Sequence, residues 1–145
     1  MVLKGIVIDT NIIFSALQKD GKIRKLLFLL DTDFFAPNFL IVEILKYRNK
    51  IFSLSSMNED EFFSVSYKVL NKINFINEKR ISFESRKKAY ELCKDIDEKD
   101  TPFIALSLEL ELPLWTADMK LLNGVKCKGF NNILESKDIQ SYLNI

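Results

Sequence analysis

Short apolar runs of strand length alternate with longer stretches of helical periodicity along the whole chain, and this alternation restricts the fold more than any other feature. Val2 to Ile8 is the first run, rich in β-branched residues, and it reads as a buried strand. It ends on Asp9-Thr10-Asn11, residue types that commonly open a helix. Ile12 to Leu17 then predicts a short helix stopped near Asp20-Gly21, and Ile23 to Leu30 a second. Phe34 to Ala36 predicts a strand closed by Pro37-Asn38, and Phe39 to Phe52 carries a helical apolar stripe. Asn58 with Glu61 three residues on has the pattern of a capped helix start, running to about Leu70. Ile73 to Ile76 reads as a strand and Phe83 to Cys93 as a helix. Thr101-Pro102 suits another helix start, because proline is tolerated in the first turn, and Pro113 ends that helix beyond Glu111. Leu114 to Thr116 predicts a strand, Asp118 to Leu122 a brief helix or turn, Lys126 to Phe130 a last strand, and Asn132 to Leu143 a partly helical tail. The fold implied is α/β, with a mainly parallel central sheet flanked by helices.

A chain of 145 residues suits one compact domain better than two, so residues 1–145 are expected to form a single unit. Hydrophobic residues at 48% supply enough core that neither disulfides nor a structural metal is needed. The net charge of +1 neither demands nor forbids a nucleic-acid partner; any binding face must come from local clustering.

Chemistry is constrained more sharply. There is no histidine, which removes Ser-His and Cys-His nucleophile mechanisms. Two isolated cysteines, Cys93 and Cys127, cannot furnish a tetrahedral zinc set. Catalysis must therefore run on carboxylates, lysines or a hard metal ion. The opening lacks the uninterrupted apolar core of a signal peptide and no stretch has membrane-spanning length, so the cytoplasm is the expected compartment.

In open α/β sheets, sites form beyond the carboxyl ends of the strands. Asp9 directly follows the first strand, Asp118 follows Leu114–Thr116 after one alanine, and Asp100 stands where an incoming loop reaches the same edge. Glu43 lies about 60° from Leu40 around its helix, on the flank of the apolar stripe, where it can face a cleft. Carboxylates brought together repel one another and take up protons unless a cation neutralises them. Mg²⁺ or Mn²⁺ with oxygen ligands suits such a cluster and assists displacement at a phosphate. Each acid also has a plain structural use: Asp9 and Asp100 as helix caps, Asp118 as a turn former, Glu43 as a solvated helix residue. Glu59, Asp60 and Glu61 are assigned to helix-end electrostatics.

Order and context separate the four acids from the rest. Ile6-Val7-Ile8-Asp9-Thr10-Asn11 resembles the opening motif of PIN domains, and Glu43 between Ile41-Val42 and Ile44 resembles the helical glutamate of that family. Asp97-Glu98-Lys99-Asp100-Thr101-Pro102-Phe103-Ile104-Ala105-Leu106 is similar to its third motif, and Leu114-Trp115-Thr116-Ala117-Asp118 to its fourth. No one motif is specific, but the four in order span residues 3 to about 125, and the likeness is strongest to PIN toxins of toxin–antitoxin pairs. The resemblance implies a Mg²⁺- or Mn²⁺-dependent endoribonuclease with Asp9, Glu43, Asp100 and Asp118 as metal ligands or metal-water partners. It further implies that Thr10 and Asn11 shape the first loop and that Thr116 supports the site by hydrogen bonding. Asp97 reads either as an extra site acid or as a solvated loop residue. An RNA substrate, an antitoxin protein in the cleft and a homodimer are what the family leads one to expect.

Two other readings compete. A phosphatase of the haloacid-dehalogenase type also begins with a strand and an aspartate, but Asn11 stands where its acid/base aspartate belongs. A catalytically silent PIN-like module that binds RNA or protein would keep the fold and lose turnover. Lys46, Arg48 and Lys50, like Arg86, Lys87 and Lys88, read either as phosphate contacts or, by preference, as solvated faces. Trp115, Phe62 and Phe63 are expected in the core rather than on bases.

Overall fold

The computed structural model describes residues 3–18 and 21–143, so Val2 and the helix stop expected at Asp20 lie outside the described residues. The strands are β1 (Ile6–Ile8), β2 (Phe34–Pro37), β3 (Ile73–Ile76), β4 (Leu114–Trp115) and β5 (Ile133–Leu134). They form one sheet in the order β3-β2-β1-β4-β5, and every neighbouring pair is parallel. The helices among the described residues are α1 (Thr10–Gln18), α2 (Lys22–Leu29), α3 (Phe39–Ser55), α4 (Glu59–Asn71), α5 (Phe83–Cys93), α6 (Thr101–Leu110), α7 (Met119–Cys127) and α8 (Ser136–Ser141). This is the α/β architecture that the alternation predicts.

Ile6, Val7 and Ile8 are completely buried, as a central parallel strand covered on both faces requires. Val7 pairs with Phe35 on one side and with Leu114 on the other. The chain builds outward from β1 through β2 to β3, then returns to lay β4 and β5 on the opposite side. The strand order therefore reverses between β1 and β4, and the carboxyl ends of those two strands border the crevice where α/β folds place their sites. Helix α6 buries Phe103 to Ser107 without a break, so it is enclosed by protein rather than laid on the surface. Helix α4 starts as its sequence predicts: Asn58 accepts from the Glu61 N–H at 2.8 Å, and Glu61 accepts in return from the Asn58 N–H at 3.4 Å.

Three expectations need correcting. The strand expected over Lys126 to Phe130 does not form; Lys126 and Cys127 are the last turn of α7. Its polar–apolar alternation suggests a strand, but buried Leu121, Leu122 and Val125 set a helical period that carries on to Cys127. Gly129 at φ 93° then turns the chain, with the Phe130 N–H bonded to the Val125 carbonyl at 3.0 Å. The final strand is Ile133–Leu134, inside the segment read as a partly helical tail. Phe63 is not in the core: it is 73% exposed and borders, with Leu45 and Tyr67, an apolar groove between α3 and α4. Phe62 and Trp115 are buried as expected. Both cysteines are free, Cys93 buried and Cys127 exposed. Among the described residues no helix is long and apolar enough to cross a membrane.

Candidate metal centre

Asp9 leaves the end of β1 beside the end of β4, with its N–H donating to the Trp115 carbonyl at 3.3 Å. Its side chain is held from two directions. Oδ1 accepts the Ile12 N–H at 3.1 Å, capping α1, and Oδ2 accepts the hydroxyl of fully buried Thr116. The same Thr116 hydroxyl accepts the backbone N–H of Asp118 at 3.0 Å, so one buried oxygen ties the two acids together. Asp118 in turn caps α7, accepting the Leu121 N–H at 3.1 Å. Asp9 and Asp118 are thus both helix caps, tied to each other through Thr116.

Glu43 arrives on α3. That helix is fastened at its start by the Asn38 N–H to the Ile76 carbonyl at 3.0 Å and by the Phe39 N–H to Glu78 Oε2 at 2.8 Å. Glu43 lies just over one turn in and accepts the Thr10 hydroxyl, which bridges α3 to the start of α1. Asp100 comes from a single 3-10 turn, Glu98–Asp100, opened by Asp97, whose side chain accepts the Lys99 N–H at 3.0 Å. Asp100 makes no capping bond to α6, and its Oδ2 is buried with no hydrogen-bond partner.

Glu43, Asp97, Asp100 and Asp118 line one cleft of about 410 Å³ together with Thr10 and Asn11. Asp9 lies beneath this lining, 4% exposed. Burial pushes the Asp9 carboxyl up to about 6; Thr116 and the Ile12 N–H oppose the rise, and the charge of Asp118 adds to it. Burial also raises Asp100, to about 7, and repulsion from Asp97, Asp9, Asp118 and Glu43 adds to it. Asp97 is exposed, opens the 3-10 turn, lines the cleft, and its charge bears on Asp100.

No group of three acids among the described residues is gathered as tightly as the ligand set of a bound ion. Asp9 and Glu43 each have an oxygen engaged by a threonine, which holds side chains that repel one another. The residues nonetheless suit a hard divalent cation. The donors are all oxygens, and an unpartnered buried carboxylate oxygen sits amid like charge, the condition that such an ion relieves.

The cleft has further lining residues that a pattern of acids does not mark. Phe14 and Gln18 on α1, Tyr47 on α3 and Lys99 on the 3-10 turn line the same space, as does Lys50, for which a solvated face was preferred. Helical spacing was the available signal: Phe14 and Gln18 fall four and eight residues after Thr10, and Tyr47 and Lys50 four and seven after Glu43.

The family model described as PIN domain matches residues 7–138. No curated protein matches the chain by sequence. Among solved structures, a chain of a toxin–antitoxin complex from Klebsiella pneumoniae is 16% identical with a TM-score of 0.64, over 90% of this chain and 97% of that one. A Pyrobaculum aerophilum protein is 13% identical with a TM-score of 0.66, over 97% and 89%. VapBC2 from Rickettsia felis, bound to a DNA fragment from its promoter, is 17% identical with a TM-score of 0.60, over 90% and 96%. At these identities the structural likeness speaks for the fold alone.

Proposed function

This chain belongs to the PIN-domain family, and from that premise we propose that it is a Mg²⁺- or Mn²⁺-dependent endoribonuclease acting as the toxin of a toxin–antitoxin pair. The observation that carries the nuclease reading is Asp100: a half-buried carboxylate with one buried, unpartnered oxygen, raised by burial and further by the charges of Asp97, Asp9, Asp118 and Glu43. A fold keeps such an arrangement at a cost in stability, and acids concentrated at a topological switch point are better explained by a cation than by packing. When bound, the ion supplies positive charge against the charge that develops on a phosphate during in-line displacement. Asp9, Glu43, Asp100 and Asp118 would hold it.

The chain's own residues supply orientation. Thr116 fixes the rotamer of Asp9 and sets Asp118 beside it through the Asp118 N–H, while Thr10 holds Glu43 against the start of α1. Lys50 and Lys99 at the cleft wall give an anionic polymer a counter-charge in a space otherwise dominated by acids. The toxin reading rests on the family together with the two structural neighbours named above, a toxin–antitoxin complex and VapBC2. It calls for an antitoxin that covers this cleft.

The deciding experiment is cleavage of end-labelled single-stranded RNA by the purified protein with Mn²⁺, with EDTA, and with Asp9→Asn. Internal cleavage that needs both the metal and Asp9 is the expected result. RNA binding without cleavage in Mg²⁺ and in Mn²⁺ would reverse the reading in favour of a binding module.

A further inference from the structure

Beyond the acids, the two helices that wall the cleft carry a second set of side chains in step with the first. On α3, Glu43, Tyr47 and Lys50 follow at helical spacing, and Lys50 lies about 10 Å further along the axis than Glu43. Across from them on α1 run Thr10, Phe14 and Gln18. The cleft therefore passes from acids to an aromatic pair to a cation. Phe14 meets Tyr47 edge to face, with centroids 5.9 Å apart and planes at 69°, and Lys46 Nζ stands 5.3 Å from the Tyr47 centroid. The Tyr47 ring is thus braced by two neighbours, and the residue as a whole remains 36% exposed.

Packing alone does not account for this. The two helices already supply the core from other positions: Ile12, Ile13, Ala16 and Leu17 on α1 and Leu40 and Ile51 on α3 are all at most 1% exposed. An aromatic ring held in a fixed orientation at the wall of a polar cleft, one turn from the acids and one turn from a lysine, instead matches how single strands are gripped: bases on rings, phosphates on cations. Resting on the nuclease reading for the identity of the polymer, we propose that Tyr47 is a stacking platform for one unpaired base of a single-stranded RNA, with Lys50 engaging the next phosphate. Every base has a stackable face, so the platform selects for an unpaired nucleotide beside the cleavage point rather than for a given base.

The test is an abasic scan. A labelled single-stranded RNA of about four nucleotides, short enough to seat in one register across the cleft, and a series carrying one abasic nucleotide at each position in turn are bound to the whole protein, by fluorescence anisotropy. Ca²⁺ replaces Mn²⁺ so that the acids are neutralised while binding is read. Wild-type protein should bind about tenfold more weakly to the RNA that is abasic at one position and normally to the others. Tyr47→Phe should behave as wild type. Tyr47→Leu, which keeps bulk against Phe14 but offers no ring, should bind every member as weakly as wild type binds the sensitive one, with an unchanged melting temperature. The scan on wild type stands by itself if Tyr47→Leu does not fold. Indifference of the wild type to every abasic position, or discrimination retained by Tyr47→Leu, overturns the platform. Cleavage of the same RNAs in Mn²⁺ separates the two readings. Cleavage without base dependence rejects the platform and keeps the nuclease, base-dependent binding without cleavage does the reverse, and absence of RNA binding rejects both.

Discussion

Glu59, Asp60 and Glu61 at the head of α4 are the same kinds of side chain as the acids of the cleft, in opposite physical circumstances. The three on α4 are exposed, stand at the positive end of a helix dipole, and include a glutamate engaged in a reciprocal capping box. At the site, Asp9 is 4% exposed, and Asp100 has a buried oxygen with no partner, its pKa raised by burial and then by four acids. One cluster stabilises the fold in water; the other strains it until a cation or a proton arrives. Acid count does not mark a site. Acids kept where they are uncomfortable do.

The widest separation between the two clusters should appear in activity. Asp9→Asn preserves the volume and one acceptor for the Ile12 N–H but removes the charge beneath the cleft. We expect RNA cleavage in Mn²⁺ to fall about a thousandfold, equivalent to ~4 kcal/mol in the barrier. Asp60→Asn should leave it within about twofold, because exposed substitutions remote from a site rarely exceed a few tenths of a kcal/mol. Equal losses in the two variants would erase the distinction.

Much of this was legible in the residues, and the gaps have physical causes. Ile73–Ile76 and Phe83–Cys93 form the elements predicted for them, because their periods are clean and their ends are bounded by turn residues. A two-residue strand such as Ile133–Leu134 has no period to read, and its place is set by parallel pairing with Leu114 and Trp115. At the site, strand ends and helix starts point to Asp9, Asp100 and Asp118, and order and family resemblance add Glu43; the sequence offers Asp9 and Asp100 as caps and Asp118 as a turn former, whereas in the structure Asp9 and Asp118 cap their helices and Asp100 caps nothing. That depends on which way a side chain turns in three dimensions. Tyr47 and Phe14 carry no mark in the sequence, because whether a helix flank faces a cleft or open water is decided by the neighbouring helix.

A smaller but direct contrast lies in stability without metal. An acid whose pKa is raised by folding binds its proton more tightly folded than unfolded, so the fold loses stability as pH rises between the two values. With Asp9 at about 6 and Asp100 at about 7 against an ordinary 3.8, the metal-free protein should be progressively destabilised from about pH 4 to about pH 7. In EDTA at pH 8, Asp100→Asn should melt about 5 °C above wild type, the difference shrinking towards pH 5. Mn²⁺ should raise the wild-type melting temperature and narrow the gap. An Asp100→Asn protein that melts lower than wild type at pH 8 would show that the carboxylate is supported rather than strained.

The opposite sign is expected on α4. Asn58→Ala removes the acceptor for the Glu61 N–H and should cost about 1 kcal/mol, or about 3 °C in melting temperature. The loss should be the same with and without Mn²⁺ and should leave cleavage intact. A metal-dependent loss would mean that α4 is coupled to the cleft.

Glu61→Gln gives the finest comparison, since it separates charge from hydrogen bonding at a satisfied acid. Glutamine can still accept the Asn58 N–H, so the box survives and only the interaction of a carboxylate with the helix N-terminus is lost. At an exposed first turn that interaction is worth about 0.5 kcal/mol at low ionic strength and is screened by salt. The melting temperature should therefore drop by about 1 °C in dilute buffer and by less in 0.5 M salt, with no dependence on divalent metal. Asp100→Asn makes the same chemical change and is expected to move stability the other way, since its charge lies among other carboxylates rather than on a helix dipole. If both substitutions shifted stability in the same direction, the two clusters would not be distinguished by electrostatic environment, and the case for a cation at the cleft would lose its physical basis.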